Sequence, residues 1–170
     1  MTNLFTWNVL LLYRPGALGM LKHIFGTGFI VIKRIKHLVL DFIPVNERIC
    51  VLRVKGKFFN LNIINAHVPT KDKDERIKDE FYETLERVYD CRPKNEIKIL
   101  IGDLNAQIRR ERIYQEYAGR HSVHEMTNDN GSRLMGLAAS KRMFVGSTKF
   151  EHKKYTKSHG KDVAATQEIK

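Results

Sequence analysis

Residues 99–106 read Ile99-Leu100-Ile101-Gly102-Asp103-Leu104-Asn105-Ala106. An apolar run typical of a buried strand ends here at a glycine, and Asp103 and Asn105 follow two positions apart. Side chains at i and i+2 of an extended segment share one face, so both are expected to point at one ligand. A carboxylate beside an amide suits a hard divalent cation and a phosphate oxygen. Gly-Asp-x-Asn also forms simple Asx turns, and that alternative stays open.

The surrounding sequence predicts strands and helices in alternation. A helix is expected where Ile77, Phe81, Leu85 and Val88 share one face, and Asn128 is expected to cap a second, shorter helix. Lys-Gly-Lys at 55–57 predicts the turn of a hairpin. Strands are predicted at residues 4–12, 29–32, 38–40, 49–54, 58–64, 97–101 and 144–145. This order favours a mixed α/β sandwich over a purely parallel sheet.

The composition indicates one domain with a strongly basic surface. The chain has 170 residues, 42% of them hydrophobic, which is enough for one core. Of the formal net charge of +11, residues 1–40 and residues 141–170 supply +5 each, and the first of these segments contains no acid. Basic surfaces attract polyanions through counterion release. We expect DNA or another nucleic acid to bind through the basic N- and C-terminal regions; a lysine-rich surface that only confers solubility is the alternative.

Other classes of protein fit the sequence less well. Cys50 and Cys91 form no disulfide framework, and no apolar run approaches the roughly 20 residues that span a bilayer. The first residues lack the basic region of a signal peptide. These features predict a nuclear or cytoplasmic chain without membrane contact and without an obligate protein partner. Because residues 151–170 show no hydrophobic period, we expect a domain at 1–150 and a basic disordered tail at 151–170.

Three segments place polar groups where a strand is expected to end, and such positions often carry function. They contain Asn8, His67 and the pair Asp103 and Asn105. Taken singly, Asn8 could be a strand-end amide bonded to backbone, and His67 a structural histidine.

Taken together, these segments resemble the endonuclease/exonuclease/phosphatase family, and within it the endonuclease domain of non-LTR retrotransposons. The segments that carry the resemblance are Trp7-Asn8, residues 64–70, residues 101–106 and residues 128–134. The resemblance covers roughly residues 4–154. It implies a DNase I-like β-sandwich flanked by helices and a Mg²⁺-dependent hydrolase acting on phosphodiester bonds of DNA.

The resemblance also implies a role for each polar residue. Asn8 corresponds to the asparagine that helps to hold the metal-site carboxylate, and His67 to a position that contacts phosphate. Asp103 corresponds to the carboxylate that orients or activates the attacking water. Asn105 corresponds to the amide that contacts the scissile phosphate. Mg²⁺ would neutralise charge that develops during in-line attack.

The departures from the family are equally informative. The strand after Trp-Asn should carry a Gln-Glu pair whose Glu binds the metal, and that strand is expected to be missing here, since residues 1–40 contain no Asp or Glu. The family's final Ser-Asp-His motif is also absent. We therefore expect an incomplete, catalytically impaired domain derived from a retrotransposon. The alternatives are an active endonuclease, a non-catalytic nucleic-acid-binding protein and a non-functional truncated gene product. A zinc site is not expected, because His121 and His124 have no third ligand nearby.

Overall fold

The computed structural model describes residues 5–8, 20–24, 27–119, 121, 124–149 and 165–167, with only the backbone considered for the strands at 5–8, 20–24 and 165–167. The strands are β1 (Phe5–Asn8), β2 (Met20–Ile24), β3 (Thr27–Val31), β4 (Val39–Asn46), β5 (Ile49–Val54), β6 (Leu61–His67), β7 (Ile97–Asp103), β8 (Met143–Val145) and β9 (Ala165–Gln167). The α-helices are α1 (Glu75–Asp90) and α2 (Asp129–Lys141), and short 3-10 helices cover Lys33–Leu38, Arg112–Tyr114 and Gly146–Thr148.

The strands form two sheets. A small sheet has the order β1-β3-β2, and a larger one the order β4-β5-β6-β7-β9-β8. The pair of β6 and β7 is parallel, and α1 is the crossover that such a pair requires. The other strand pairs among the described residues are antiparallel. The predicted mixed α/β sandwich is therefore confirmed.

The larger sheet is the middle layer because its strands are apolar on both faces. Along β5, Ile49 and Val51 point into a core shared with the helices, whereas Cys50 and Leu52 point into a core shared with β3. All four are fully buried. Because successive side chains of a strand point to opposite faces, β5 contributes to two hydrophobic cores, one on each face of the sheet.

Both helices begin at a polar cap. The Asp74 carboxylate accepts the backbone N–H of Arg76, and the Asn128 side chain accepts the N–H of Gly131. These caps satisfy backbone donors that a helix leaves unpaired at its start. The residues that α1 buries are Lys78, Phe81, Leu85 and Tyr89. Among the described residues, no helix is long and apolar enough to cross a membrane.

Strand β4 is longer than the strand predicted at 38–40, and four further details differ from the expectations. A strand follows β1 at Met20–Ile24, although that strand was expected to be missing; it contains no acid. The second arm of the hairpin begins at Leu61, not at residue 58, because Phe58 and Phe59 lie exposed in the connection. Ile77 faces solvent, with 45% of its surface exposed.

The fourth difference concerns the expected disordered tail at 151–170. Its residues Ala165–Gln167 form β9, which pairs with β7 and with β8. A three-residue strand between Ala164 and Glu168 has too little hydrophobic pattern to be recognised, and its pairing partners supply the order. The rest of that segment, residues 151–164 and 168–170, lies outside the described residues.

Candidate functional site

The parallel pairing of β6 and β7 brings two of the predicted residues together. His67 is opposite Asp103 in the register, and the next amide, that of Val68, donates to the Asp103 carbonyl at 2.9 Å. Parallel strands joined by a crossover helix end at the same edge of their sheet, which is why residues 36 positions apart in the chain become neighbours. Both side chains are half-buried.

The small sheet and the β4–β5 turn reach the same edge. Asn8, the last residue of β1, is paired with Thr27, whose hydroxyl donates to the Glu47 carbonyl at 3.4 Å. Glu47 belongs to the turn between β4 and β5, and the neighbouring Arg48 carbonyl accepts the His67 N–H at 2.8 Å. The backbone of Asn8 therefore ends beside the other candidates; its side chain lies outside the described features.

Asp103 and Asn105 do not lie in one extended segment, so the prediction of a shared strand face is wrong. Strand β7 ends at Asp103, and Asn105 adopts a left-handed conformation with φ 46°. The Asp103 Oδ1 atom accepts the backbone N–H of Asn105 at 3.2 Å. This is an Asx turn, the alternative that the sequence left open. The turn still keeps both residues at the end of the strand.

The Asn105 amide bonds to the protein itself. The Nδ2 atom of Asn105 donates to the Val68 carbonyl at 2.8 Å. The backbone carbonyl of Asn105 accepts from Asn128 Nδ2 at 2.9 Å. The Oδ1 atom of Asn128 in turn accepts the N–H groups of Gln107 at 2.9 Å and Gly131 at 2.8 Å. One side chain thus caps α2 and holds the loop that follows β7.

Gly102 is required by the close approach of β6. Its φ is +125°, a conformation that L side chains rarely adopt, and a Cβ there would lie 2.0 Å from the Ala66 carbonyl oxygen. The same Cβ would also lie 2.7 Å from Oδ1 of Asn65, whose buried side-chain amide donates to the Gly28 carbonyl at 3.0 Å and so links the two sheets. The glycine and this bond fix the strand ends that carry His67 and Asp103.

The charge state of His67 depends on its surroundings. Partial burial is the main cause that lowers its pKa below the ordinary value of 6.5. The Asp103 carboxylate opposes this by raising the pKa, and the Arg48 guanidinium lowers it further. A neutral imidazole at neutral pH follows, which carries one donor and one acceptor nitrogen.

The described donor set does not fit the Mg²⁺ site that the family resemblance implies. Mg²⁺ needs oxygen ligands in a near-octahedral arrangement, one or two of them carboxylates. In the described part of the chain, no group of three or more His, Cys, Asp or Glu side chains could hold a metal ion. Residues 1–40, where the family carries its metal-binding Glu, contain no acid.

Three residues that position the site were not predicted from the sequence to belong to it. Arg48 contacts the His67 backbone, Asn65 joins the two sheets, and Asn128 holds the Asn105 loop. Only Asn128 had a local signal, because an Asn before a helix predicts a cap. The partners of the other two lie 19 and 37 residues away, so no local pattern could reveal them.

Comparison with known proteins gives sequence relatives over part of the chain. The chain is 32% identical over 126 residues to "Craniofacial development protein 2" of Tragulus javanicus, and 31% identical over 126 residues to the protein of the same name from Bos taurus. Each match covers 74% of this chain, which spans only 22% and 21% of these relatives. No protein-family model matches.

Two solved structures share the fold. The endonuclease domain of TRAS1, a telomere-specific non-LTR retrotransposon, has a TM-score of 0.52 at 15% identity, over 84% of this chain and 58% of the other. An endonuclease/exonuclease/phosphatase family protein from Leptotrichia buccalis has a TM-score of 0.50 at 13% identity, over 98% of this chain and 61% of the other. At such identities the likeness concerns the fold alone, and it confirms the predicted DNase I-like class.

Proposed function

We propose that this chain is a retrotransposon-derived domain of the endonuclease type. It binds nucleic acid but does not hydrolyse it efficiently with Mg²⁺. The proposal starts from the endonuclease/exonuclease/phosphatase fold. The observation that carries the proposal is the composition of the strand-end site. His67, Asp103 and Asn105 lie at one edge of the sheet, yet no metal-binding cluster exists among the described residues. These residues match the family positions for phosphate contact and water activation by resemblance, and the described residues add no carboxylate cluster to them.

The expected loss of rate follows from what hydrolysis requires. An attacking water must lose a proton while negative charge develops on the phosphate. Asp103 could accept that proton and His67 could contact the phosphate, but the developing charge would lack the carboxylate-bound cation. Removing one preorganised catalytic group commonly costs about 10²- to 10⁴-fold. We therefore expect cleavage at least about 10²- to 10⁴-fold slower than at a complete site, too slow to exceed the background of a nicking assay.

Binding of nucleic acid does not need that missing group. The net charge of +11 attracts the phosphate backbone of any nucleic acid through counterion release. His67, at the edge of the sheet beside Asp103, is the residue that the family resemblance assigns to phosphate contact. Binding without turnover is consistent with both features.

A plasmid-nicking assay tests the catalytic half of the proposal. Purified chain and the variant Asp103→Asn are incubated with supercoiled DNA and Mg²⁺. The asparagine Oδ1 can still accept the Asn105 N–H, so the turn is retained while the carboxylate is lost. We expect equal, background rates from both proteins. A wild-type rate at least about 100-fold above the variant would show an active endonuclease instead.

Salt-titrated binding tests the other half. Fluorescence anisotropy with a labelled oligonucleotide should show affinity that falls steeply between about 50 and 200 mM salt. Absence of binding at about 50 mM salt would contradict the proposal and favour a product without nucleic-acid function.

A further inference from the structure

We propose that the end of the larger sheet opposite the candidate site is a docking surface for single-stranded nucleic acid, an inference that rests on the nucleic-acid binding proposed above and gives it a location. The surface, called the basic tip, consists of Lys33, Arg34, Lys36, Lys55, Lys57, Phe58 and Phe59. Since β6 has seven residues between the two ends, the basic tip lies about 20 Å from His67.

Two segments that are distant in the chain form the basic tip. The connection between β5 and β6 lies beside the 3-10 helix Lys33–Leu38, because the Lys55 N–H donates to the Leu38 carbonyl at 2.7 Å. Ile35, on the inner side of that helix, packs against the core between the sheets. Both segments are therefore attached to a rigid layer while their charged side chains face solvent.

The electrostatic balance at the basic tip is one-sided. Its four lysines and Arg34 are all exposed. The sequence contains no Asp or Glu at residues 27–40 or 54–71. The buried Glu96 nearby is paired with Arg53 and also accepts from Asn60 at 2.9 Å, so it does not offset the exposed charge. Asp41, on β4, is the neighbouring exposed acid. Such a concentration of positive charge attracts phosphates.

The two phenylalanines distinguish this surface from an ordinary lysine-rich loop. Phe58 is 81% exposed and Phe59 is 49% exposed, whereas large aromatic side chains are normally mostly buried. The Lys57 ammonium lies 5.2 Å from the centroid of the Phe58 ring. Cation and aromatic face thus occur side by side, the combination that single-strand binding proteins use for phosphate contact and base stacking.

Single-stranded nucleic acid fits these features better than the alternatives. In a duplex the bases already stack on one another, so the exposed rings would have no partner. A membrane-binding face needs a continuous apolar side in addition to basic charge. The described part of the basic tip offers two rings, one of them next to an ammonium group.

Fluorescence anisotropy on the whole chain tests the proposal. Two labelled probes are compared, an oligo(dT) of about 20 nucleotides and a duplex of equal length. The double variant Phe58→Ala/Phe59→Ala should weaken oligo(dT) binding about tenfold or more, and duplex binding less than about twofold. The matched control is Ile113→Ala/Met126→Ala, two exposed apolar residues elsewhere. Because all four side chains are exposed, thermal unfolding should be unchanged.

A charge variant gives an independent measurement. Lys55→Gln/Lys57→Gln should reduce the slope of log affinity against log salt by about 1.4, since each single-strand phosphate contact contributes about 0.7. The control Lys71→Gln/Lys73→Gln removes two exposed lysines that alternate with Asp72 and Asp74, and it should leave the slope nearly unchanged.

The outcomes separate this inference from the proposed function. If the wild-type chain binds oligo(dT) and the phenylalanine variant binds equally well, the basic tip is not the docking surface, although nucleic-acid binding stands. If the wild-type chain binds neither probe, both proposals are wrong. Binding to phosphatidylserine vesicles that depends on Phe58 and Phe59, without binding to oligo(dT), would make the tip a membrane-contact surface and overturn the inference.

Discussion

Asn105 combines an unusual backbone conformation with hydrogen bonds from both its side chain and its main chain. Its φ of 46° lies in the left-handed region, and its Nδ2 donates to the Val68 carbonyl at 2.8 Å. Asn105→Ala should lower the free energy of unfolding by about 2 kcal/mol, about 1 from the lost hydrogen bond and about 1 from left-handed strain. Urea unfolding measures this difference.

Asn105→Gly is the matched variant for this position. Glycine adopts the left-handed region without strain, so only the hydrogen bond is lost and the cost should be about 1 kcal/mol. Equal losses for alanine and glycine would show that backbone strain is not part of the effect.

His67 provides a second prediction at the residue scale. Burial and Arg48 lower its pKa, while Asp103 raises it. Asp103→Asn should therefore move the pKa further down, and Arg48→Gln should move it up. NMR titration of the His67 ring measures both shifts. Movement of the pKa in the same direction in both variants would contradict this account of the charges around the imidazole.

At the scale of elements, Glu96 ties the start of β7 to two neighbouring strands. Its carboxylate pairs with Arg53 of β5, accepts from Asn62 of β6 at 2.7 Å and is 5% exposed. The hydrogen bond from Arg53 is the main cause that lowers the pKa of Glu96 to about 2, from an ordinary value of 4.5. The stabilisation is therefore complete above about pH 4.5 and is lost as the pH falls toward 2.

Glu96→Gln should consequently destabilise the protein by about 3 kcal/mol at pH 7 and by much less near pH 2, where the wild-type carboxyl is protonated. Denaturant unfolding at several pH values gives the difference. Glu83→Gln, on the exposed face of α1, serves as the control and should cost less than about 0.5 kcal/mol at any pH. A Glu96→Gln effect that does not change with pH would rule out the charge as its origin.

At the scale of the whole molecule, the larger sheet separates two hydrophobic cores and packs against both. Leu52 is fully buried between the sheets, and Leu134 is 1% exposed between that sheet and the helices. Because the same strands border both cores, Leu52→Ala and Leu134→Ala should each lower the stability of the entire chain, by about 2 to 5 kcal/mol.

Two probes report on the two sides of the sheet. Trp7, the single tryptophan, belongs to β1 of the small sheet, whereas far-UV circular dichroism is dominated by the helices. In each variant, tryptophan fluorescence and circular dichroism should follow one coincident transition. Separate transitions would mean that the small sheet unfolds independently of the helical layer.

Local patterns in the sequence were sufficient for most elements. Apolar spacing of four predicted α1, Asn128 predicted the start of α2, and the β-branched residues of 49–54 beside the Lys-Gly-Lys turn predicted a hairpin strand. The prediction that Ile77 lies on the buried face of α1 is wrong. The face that α1 buries is narrower than the spacing of the hydrophobic residues in the helix suggests. The strand β9 could not be predicted, since its order depends on pairing with β7 and β8.

The sequence by itself determined the class of fold, the polar residues at the strand ends and the lack of acids in residues 1–40, because these are properties of composition and of short-range periodicity. The tertiary structure alone decided how those residues are arranged. It paired His67 with Asp103, turned Asn105 out of the strand and placed Lys55 beside Leu38. Contacts of this kind join residues far apart in the chain, and strand register and loop docking set them, neither of which a local pattern encodes.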